Sequence, residues 1–123
     1  MYRYLVFMLI SFGVSSHQFT PTYPELSQSY MPKVLKLEMQ LLNKRQDISY
    51  YELEVLDIDS NPVSFAARQK IVEVQYLKRK DIEVYIRQAD KDKAYYVCSK
   101  SKILKGQSKT SPVSSKICSK IIK

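Results

Sequence analysis

Cys98 and Cys118 are the only cysteines in the chain, and they stand in two stretches of similar β-forming character. The first stretch is Ala-Tyr-Tyr-Val-Cys-Ser-Lys-Ser-Lys-Ile-Leu (94–104), and the second is Val-Ser-Ser-Lys-Ile-Cys-Ser-Lys-Ile-Ile (113–122). Gly106 to Pro112 lie between them and carry turn residues. Folding the chain about Ser108 sets opposite each other residues whose numbers sum to 216, and the two cysteines then meet. Directly opposed residues of an antiparallel pair lie within disulfide reach. The tail from Ala94 onward is therefore expected to be a disulfide-braced β-hairpin, and the rest of the chain must supply a sheet for it to join.

That register has a cost. It places Lys100 opposite Lys116 and Tyr96 opposite Lys120, with Lys102 on the same face. Like charges directly opposed destabilise a strand pair by a few tenths of a kcal/mol. A crosslink closing a loop of about 20 residues contributes roughly 3 kcal/mol through the unfolded state, so the covalent effect wins. The other face carries Val97 and Ile103 against Val113, Ile117 and Ile121, interleaved with serines. That face is expected to turn inward, while the sulfurs and lysines look out to water or to a partner.

The opposite end of the chain places the molecule in a compartment. Met-Tyr-Arg-Tyr precedes the apolar run Leu-Val-Phe-Met-Leu-Ile-Ser-Phe-Gly-Val (5–14) and then Ser-Ser. One cation, a short apolar run and small residues describe a secretory signal peptide, with cleavage expected after Ser16. The run is shorter than the ~20 residues a membrane-spanning helix needs. Residues 1–16 are thus read as a signal peptide, 17–33 as an extended arm rich in Pro, Thr and Ser, and 34–123 as one β domain. An exported chain with two cysteines is expected in the periplasm or outside the cell, where disulfides persist.

Along the domain the pattern is that of strands. Leu35, Leu37, Met39 and Leu41 alternate with Lys36, Glu38 and Gln40, a period of two. The same residues are good helix formers, and Val34, Leu37 and Leu41 could share a helical face. Strict alternation favours a strand. Ile48 to Ile58 reads as a second strand, with Tyr51, Leu53 and Val55 inward and Glu52 and Glu54 outward. Asp59-Ser-Asn-Pro62 is a turn signal. Asp57, Asp59 and Asn61 also mimic the start of a calcium loop, but Pro62 replaces its glycine and Arg68 its bidentate glutamate, so a plain turn is expected. Pro62–Ala67 reads as a short strand or a crossing segment. Lys70 to Leu77 is read as a strand with Val72, Val74 and Tyr76 on one face. Asp81 to Arg87 is another, with Ile82, Val84 and Ile86, and Lys78-Arg-Lys80 is the link between the two. No long helical pattern intervenes. The fold class is all-β: a single immunoglobulin-like antiparallel β-sandwich of about seven strands.

Several chemistries are excluded by composition. The single histidine, His17, sits at the expected mature terminus, where positioning is poor. Gly13 and Gly106 are the only glycines, too few for a phosphate-cradling loop. Two cysteines and one histidine fall short of the four ligands of a structural zinc site. No catalytic, cofactor-binding or metal-ligating residue is expected, and the chain is read as a non-enzyme.

Binding remains. The chain holds 20 basic and 12 acidic residues, and residues 93–123 contain eight lysines with no acid, so the excess positive charge sits on the hairpin. Lysines on alternating strand positions keep an edge soluble. They also make Lys100, Lys102, Lys116 and Lys120 candidates for holding an anionic glycan, lipopolysaccharide or a membrane surface. Ten tyrosines, eight of them after Ser16, favour a protein partner instead, with Tyr95 and Tyr96 as the candidate contact. That partner would be another envelope or extracellular protein, bound by strand addition at a sheet edge. Nucleic acid is not expected, because the interleaved aromatics that stack bases are scarce on the hairpin.

Phe19-Thr-Pro21, Tyr51-Glu-Leu-Glu-Val-Leu-Asp57, Asn61-Pro-Val63 and Ile82-Glu-Val-Tyr-Ile-Arg87 together resemble the amino-terminal immunoglobulin-like domain of periplasmic pilus-assembly chaperones. The resemblance covers residues 19–88 and is a rhythm of strands. It implies an exported β-sandwich acting as an accessory or assembly factor by protein–protein contact. It departs from the family in two respects. This chain is too short for the family's second domain, and the basic pair that grips a subunit's terminal carboxylate has no clear counterpart here.

Overall fold

A computed structural model describes residues 17–102 and 115–122. The expected signal peptide 1–16, the hairpin turn Gly106–Pro112, and Ile103 and Val113 lie outside the described residues. Two antiparallel sheets face each other. The first contains β1 (Gln18–Thr20), β2 (Ser27–Gln28), β3 (Val34–Leu42), β5 (Ala66–Ala67) and β7 (Arg79–Arg87), in the order β1-β3-β7-β5, with β2 also on β3. The second contains β4 (Tyr50–Leu56), β6 (Ile71–Glu73), β8 (Tyr96–Lys102) and β9 (Lys116–Lys120), in the order β6-β4-β8-β9.

The period-two patterns build this sandwich. Leu35, Leu37, Met39 and Leu41 of β3 all point inward and are buried, and the ambiguity of 34–42 is resolved as a strand. Ile82, Val84 and Ile86 of β7 lie beside them, because β3 and β7 pair along nine residues from Val34↔Arg87 to Leu42↔Arg79. Tyr51, Leu53 and Val55 of β4 and Val97 of β8 close the core from the second sheet. Burying each such aliphatic side chain contributes roughly 1.5–3 kcal/mol, which is why one sheet face of each layer is apolar throughout.

The turn after β4 is made by one side chain. Asp57 Oδ1 accepts hydrogen bonds from the backbone N–H of Asp59 (2.9 Å) and Asn61 (2.8 Å), and Ser60 takes a positive φ of 65°. One carboxylate oxygen of Asp57 thus closes the turn on its own backbone amides.

Three expectations need correction. The stretch 70–77 is not one strand: β6 spans only Ile71–Glu73, and Tyr76 is exposed instead of sharing the buried face of Val72 and Val74. The chain leaves the sheet there because Leu77 N donates to Asn43 O (2.7 Å) and Leu77 adopts φ 61°. Secondly, Arg79 and Lys80 are not linker but the first residues of β7, held opposite Leu42 and Leu41. Thirdly, Cys98 does not look out to water: it is fully buried, while Cys118 is exposed. β8 is flanked by β4 and β9, and these neighbours cover its outward cysteine. The proline-bearing stretch 17–33 contributes β1 and β2 to the edge of β3, so sheet residues begin ahead of Val34.

Candidate functional site

The hairpin strands carry the candidate residues, and their register is the one that the cysteines dictate. β8 and β9 pair from Tyr96↔Lys120 through Cys98↔Cys118 to Lys100↔Lys116. Cys98 and Cys118 are bonded, with Cα atoms 4.1 Å apart and 20 residues between them in sequence. The bond makes a covalent rung between the last strand and the centre of its sheet.

The outward face holds the four lysines, but not alone. β4 pairs with β8 so that Glu52 lies opposite Lys100 and Glu54 opposite Cys98. Lys102 Nζ donates to Glu52 Oε2 at 3.1 Å, and Lys116 Nζ lies 3.0 Å from Glu54 Oε2. These half-exposed pairs are each worth under about 1 kcal/mol, yet they relieve the repulsion between Lys100 and Lys116. Lys120 sits over the Tyr95 ring at 5.3 Å, and the Tyr95 and Tyr96 rings meet edge to face at 5.1 Å. The structure thus gathers all four lysines and Tyr96 on one strand pair, with Tyr95 immediately before β8. Glu52 and Glu54 belong to the same surface and were not read from the sequence as part of it. The signal was present: acids at alternate positions of β4 match lysines at alternate positions of β8.

The edge of β9 is half covered. Ser101 N donates to Ser115 O (2.8 Å) and Ile121 N to Tyr95 O (2.9 Å), so the odd-numbered residues of β9 bond to β8. The even-numbered ones, Lys116, Cys118 and Lys120, therefore turn their backbone N–H and C=O outward. Lys120 N donates to Thr22 O (3.2 Å) and Ile122 N to Pro24 O (2.8 Å), which covers the second half. Among the described residues, no strand is hydrogen-bonded to Lys116 or Cys118 on that side, although β1 passes close to β9.

No protein-family model matches the chain, and no curated protein does. Among solved structures, the crystal structure of the E. coli chaperone DraB is similar, with a TM-score of 0.60 and 16% sequence identity over 86% of this chain. The likeness is one of fold. The resemblance to the immunoglobulin-like domain of pilus-assembly chaperones holds at that level. The match spans 53% of the DraB chain, so this chain covers about half the length of that chaperone.

A second polar cluster lies inside the sandwich. His17, expected at a poorly positioned terminus, is instead buried against the Tyr51 ring, with ring centroids 4.5 Å apart. Its Nε2 lies 2.8 Å from Ser99 Oγ and its Nδ1 3.2 Å from Ser115 Oγ. Burial lowers the His17 pKa below 6.5, with the nearby Arg45 charge acting in the same direction, so the ring is held neutral. A serine and a histidine at bonding distance have the look of a nucleophile and base. Ser99 is fully buried, however, so no substrate carbonyl can reach its oxygen. The cluster ties the start of β1 to both hairpin strands.

Proposed function

We propose that this chain is an exported accessory or assembly factor of the cell envelope or exterior, without catalytic activity, that binds a protein partner by strand addition at β9. The observation that carries the reading is the pair of outward-facing backbone positions at Lys116 and Cys118, in a strand stapled to the sheet centre. A rigid, unpaired strand edge offers main-chain hydrogen bonds to an extended segment. The disulfide favours an oxidising compartment, and the fold shared with a chaperone is compatible with a protein-binding role. Tyr95 and Tyr96, beside the covered end of the strand, would meet the partner's side chains.

Polyanion binding by the lysine face is the weaker alternative. Lys102 and Lys116 already pair with Glu52 and Glu54, and Lys100 lies opposite Glu52 across the β4–β8 ladder, so acids are interleaved among the cations.

The test is affinity capture of the mature protein's partner from its native host at low and high salt, with wild type and Lys116→Pro. The Lys116 N–H makes no bond to β8, so proline removes an edge donor without breaking the hairpin ladder. A partner held at both salts by wild type and lost with Lys116→Pro supports strand addition. Undiminished capture by the proline variant overturns it, as does capture confined to low salt and abolished by Lys100→Gln with Lys120→Gln.

A further inference from the structure

The opposite sheet has a second open edge, and it has a groove beside it. β7 pairs with β3 along nine residues, but on its other side, among the described residues, only Val84 and Tyr85 are paired, with the two residues of β5. After Ala67 the chain crosses to the other sheet and begins β6 at Ile71. Gln88 N donates to Lys33 O (2.9 Å), which makes even-numbered residues of β7 the ones bonded to β3. The N–H and C=O of Asp81 and Glu83 consequently point away from β3, into a groove of about 800 Å3. Ala67, Val72 and Ile82 give the groove an apolar floor between the sheets, and Tyr30 and Tyr85 stand at one end, edge to face at 6.3 Å.

The outer face beside this edge is acidic at the positions that an added strand would oppose. Asp81 and Glu83 project there, and Glu38 of β3 lies directly opposite Glu83, like charge against like. Lys36 neutralises part of this by pairing with Glu38 at 3.0 Å. Arg68, just after β5, and Lys80 of β7 also line the groove. In a strand laid along residues 81–83, outward side chains would sit beside two carboxylates and inward ones on the apolar floor. Cross-strand pairs of opposite charge are favourable and like pairs are not.

We infer that the groove along Asp81–Glu83 takes an extended peptide segment as a further strand of the first sheet, one with basic residues outward and small apolar residues inward. This site is separate from β9: it lies on the other sheet, uses other backbone groups and stands whether or not β9 binds a partner. Its charge preference also runs against the molecule's formal net charge of +8, so general electrostatic attraction cannot imitate it.

The experiment is amide hydrogen exchange by NMR on the folded protein, with acetyl-Lys-Val-Lys-Val-Lys-Val-Lys-amide and with the same peptide carrying Glu for Lys. In the free protein, the Asp81 and Glu83 amides should exchange rapidly, since they have no strand partner. The lysine peptide should slow both by about tenfold or more at millimolar concentration, and the glutamate peptide should bind about fivefold more weakly. Asp81→Lys with Glu83→Lys, both at exposed positions, should reverse that preference. Unchanged exchange at Asp81 and Glu83, protection confined to Lys116–Lys120, or a preference for the glutamate peptide in the wild type would each overturn the inference.

Discussion

The Tyr51 hydroxyl donates to Asn43 Oδ1 at 2.5 Å, in a part of the core where both residues are fully buried. Asn43 spends its whole side chain there. Its Nδ2 donates to the carbonyls of Ile48 (2.7 Å) and Val74 (2.8 Å), and Oδ1 also accepts from Arg45 N at 2.9 Å. One amide thereby fastens the β3–β4 connection to the chain between β6 and β7, and burial pushes the Tyr51 pKa up to about 12. Asn43→Ala would leave several buried groups unsatisfied and is expected to destabilise the fold by about 3 kcal/mol. Tyr51→Phe should cost about 1 kcal/mol, because Asn43 keeps its other bonds. Urea denaturation of the two variants checks this. Near-equal losses would show that the amide is not the hub.

The buried His17 makes stability depend on pH in a defined window. Its pKa in the fold lies below 6.5, its ordinary value in the unfolded chain, so the unfolded state binds a proton first. The stabilisation is complete above 6.5 and is lost as pH falls from there through the lowered pKa. The midpoint of urea unfolding should therefore fall between pH 7.5 and pH 5, and His17→Gln should flatten that decline (about these pH values, clear of most carboxylate titration). An equal decline in the variant would assign it to other groups.

The disulfide is asymmetric, and its chemistry should follow. Cys98 is fully buried between β4 and β9, while Cys118 is exposed on the edge strand. Under native conditions without reductant, an alkylating agent should label neither residue. After reduction, Cys118 should be modified before Cys98, as read by peptide mass spectrometry. The variant with Cys98→Ser and Cys118→Ser should lose about 3 kcal/mol of stability. Simultaneous labelling would mean that β9 detaches as soon as the bond opens.

Much of the fold was legible residue by residue. The alternation of Leu35, Leu37, Met39 and Leu41 yields a strand, since only a strand buries every second residue. The Cys98↔Cys118 register follows from spacing alone, because an antiparallel pair is governed by one sum of residue numbers. The run from Lys70 to Leu77 misled for a local reason. Tyr76 continues the β-like alternation, but Leu77 turns back at Asn43, a contact 34 residues away in sequence that no window along the chain contains.

The candidate site was legible only in part. The lysines, tyrosines and cysteines of the hairpin come together as their spacing requires, since a two-stranded register is a local matter. Their carboxylate partners Glu52 and Glu54 come from a strand far away in sequence, and pairing them with Lys102 and Lys116 depends on β4 lying beside β8.

By itself, the order of residues determined the all-β character, the inward faces of the long strands and the rung joining the final two. These depend on side-chain period and on separations along a single chain. Strand order, and with it the burial of Cys98 and His17 and the open edges of β7 and β9, was decided only when the two sheets assembled. Which strand lies next to which is set by packing the whole core at once, and that packing leaves no trace in any one stretch of sequence.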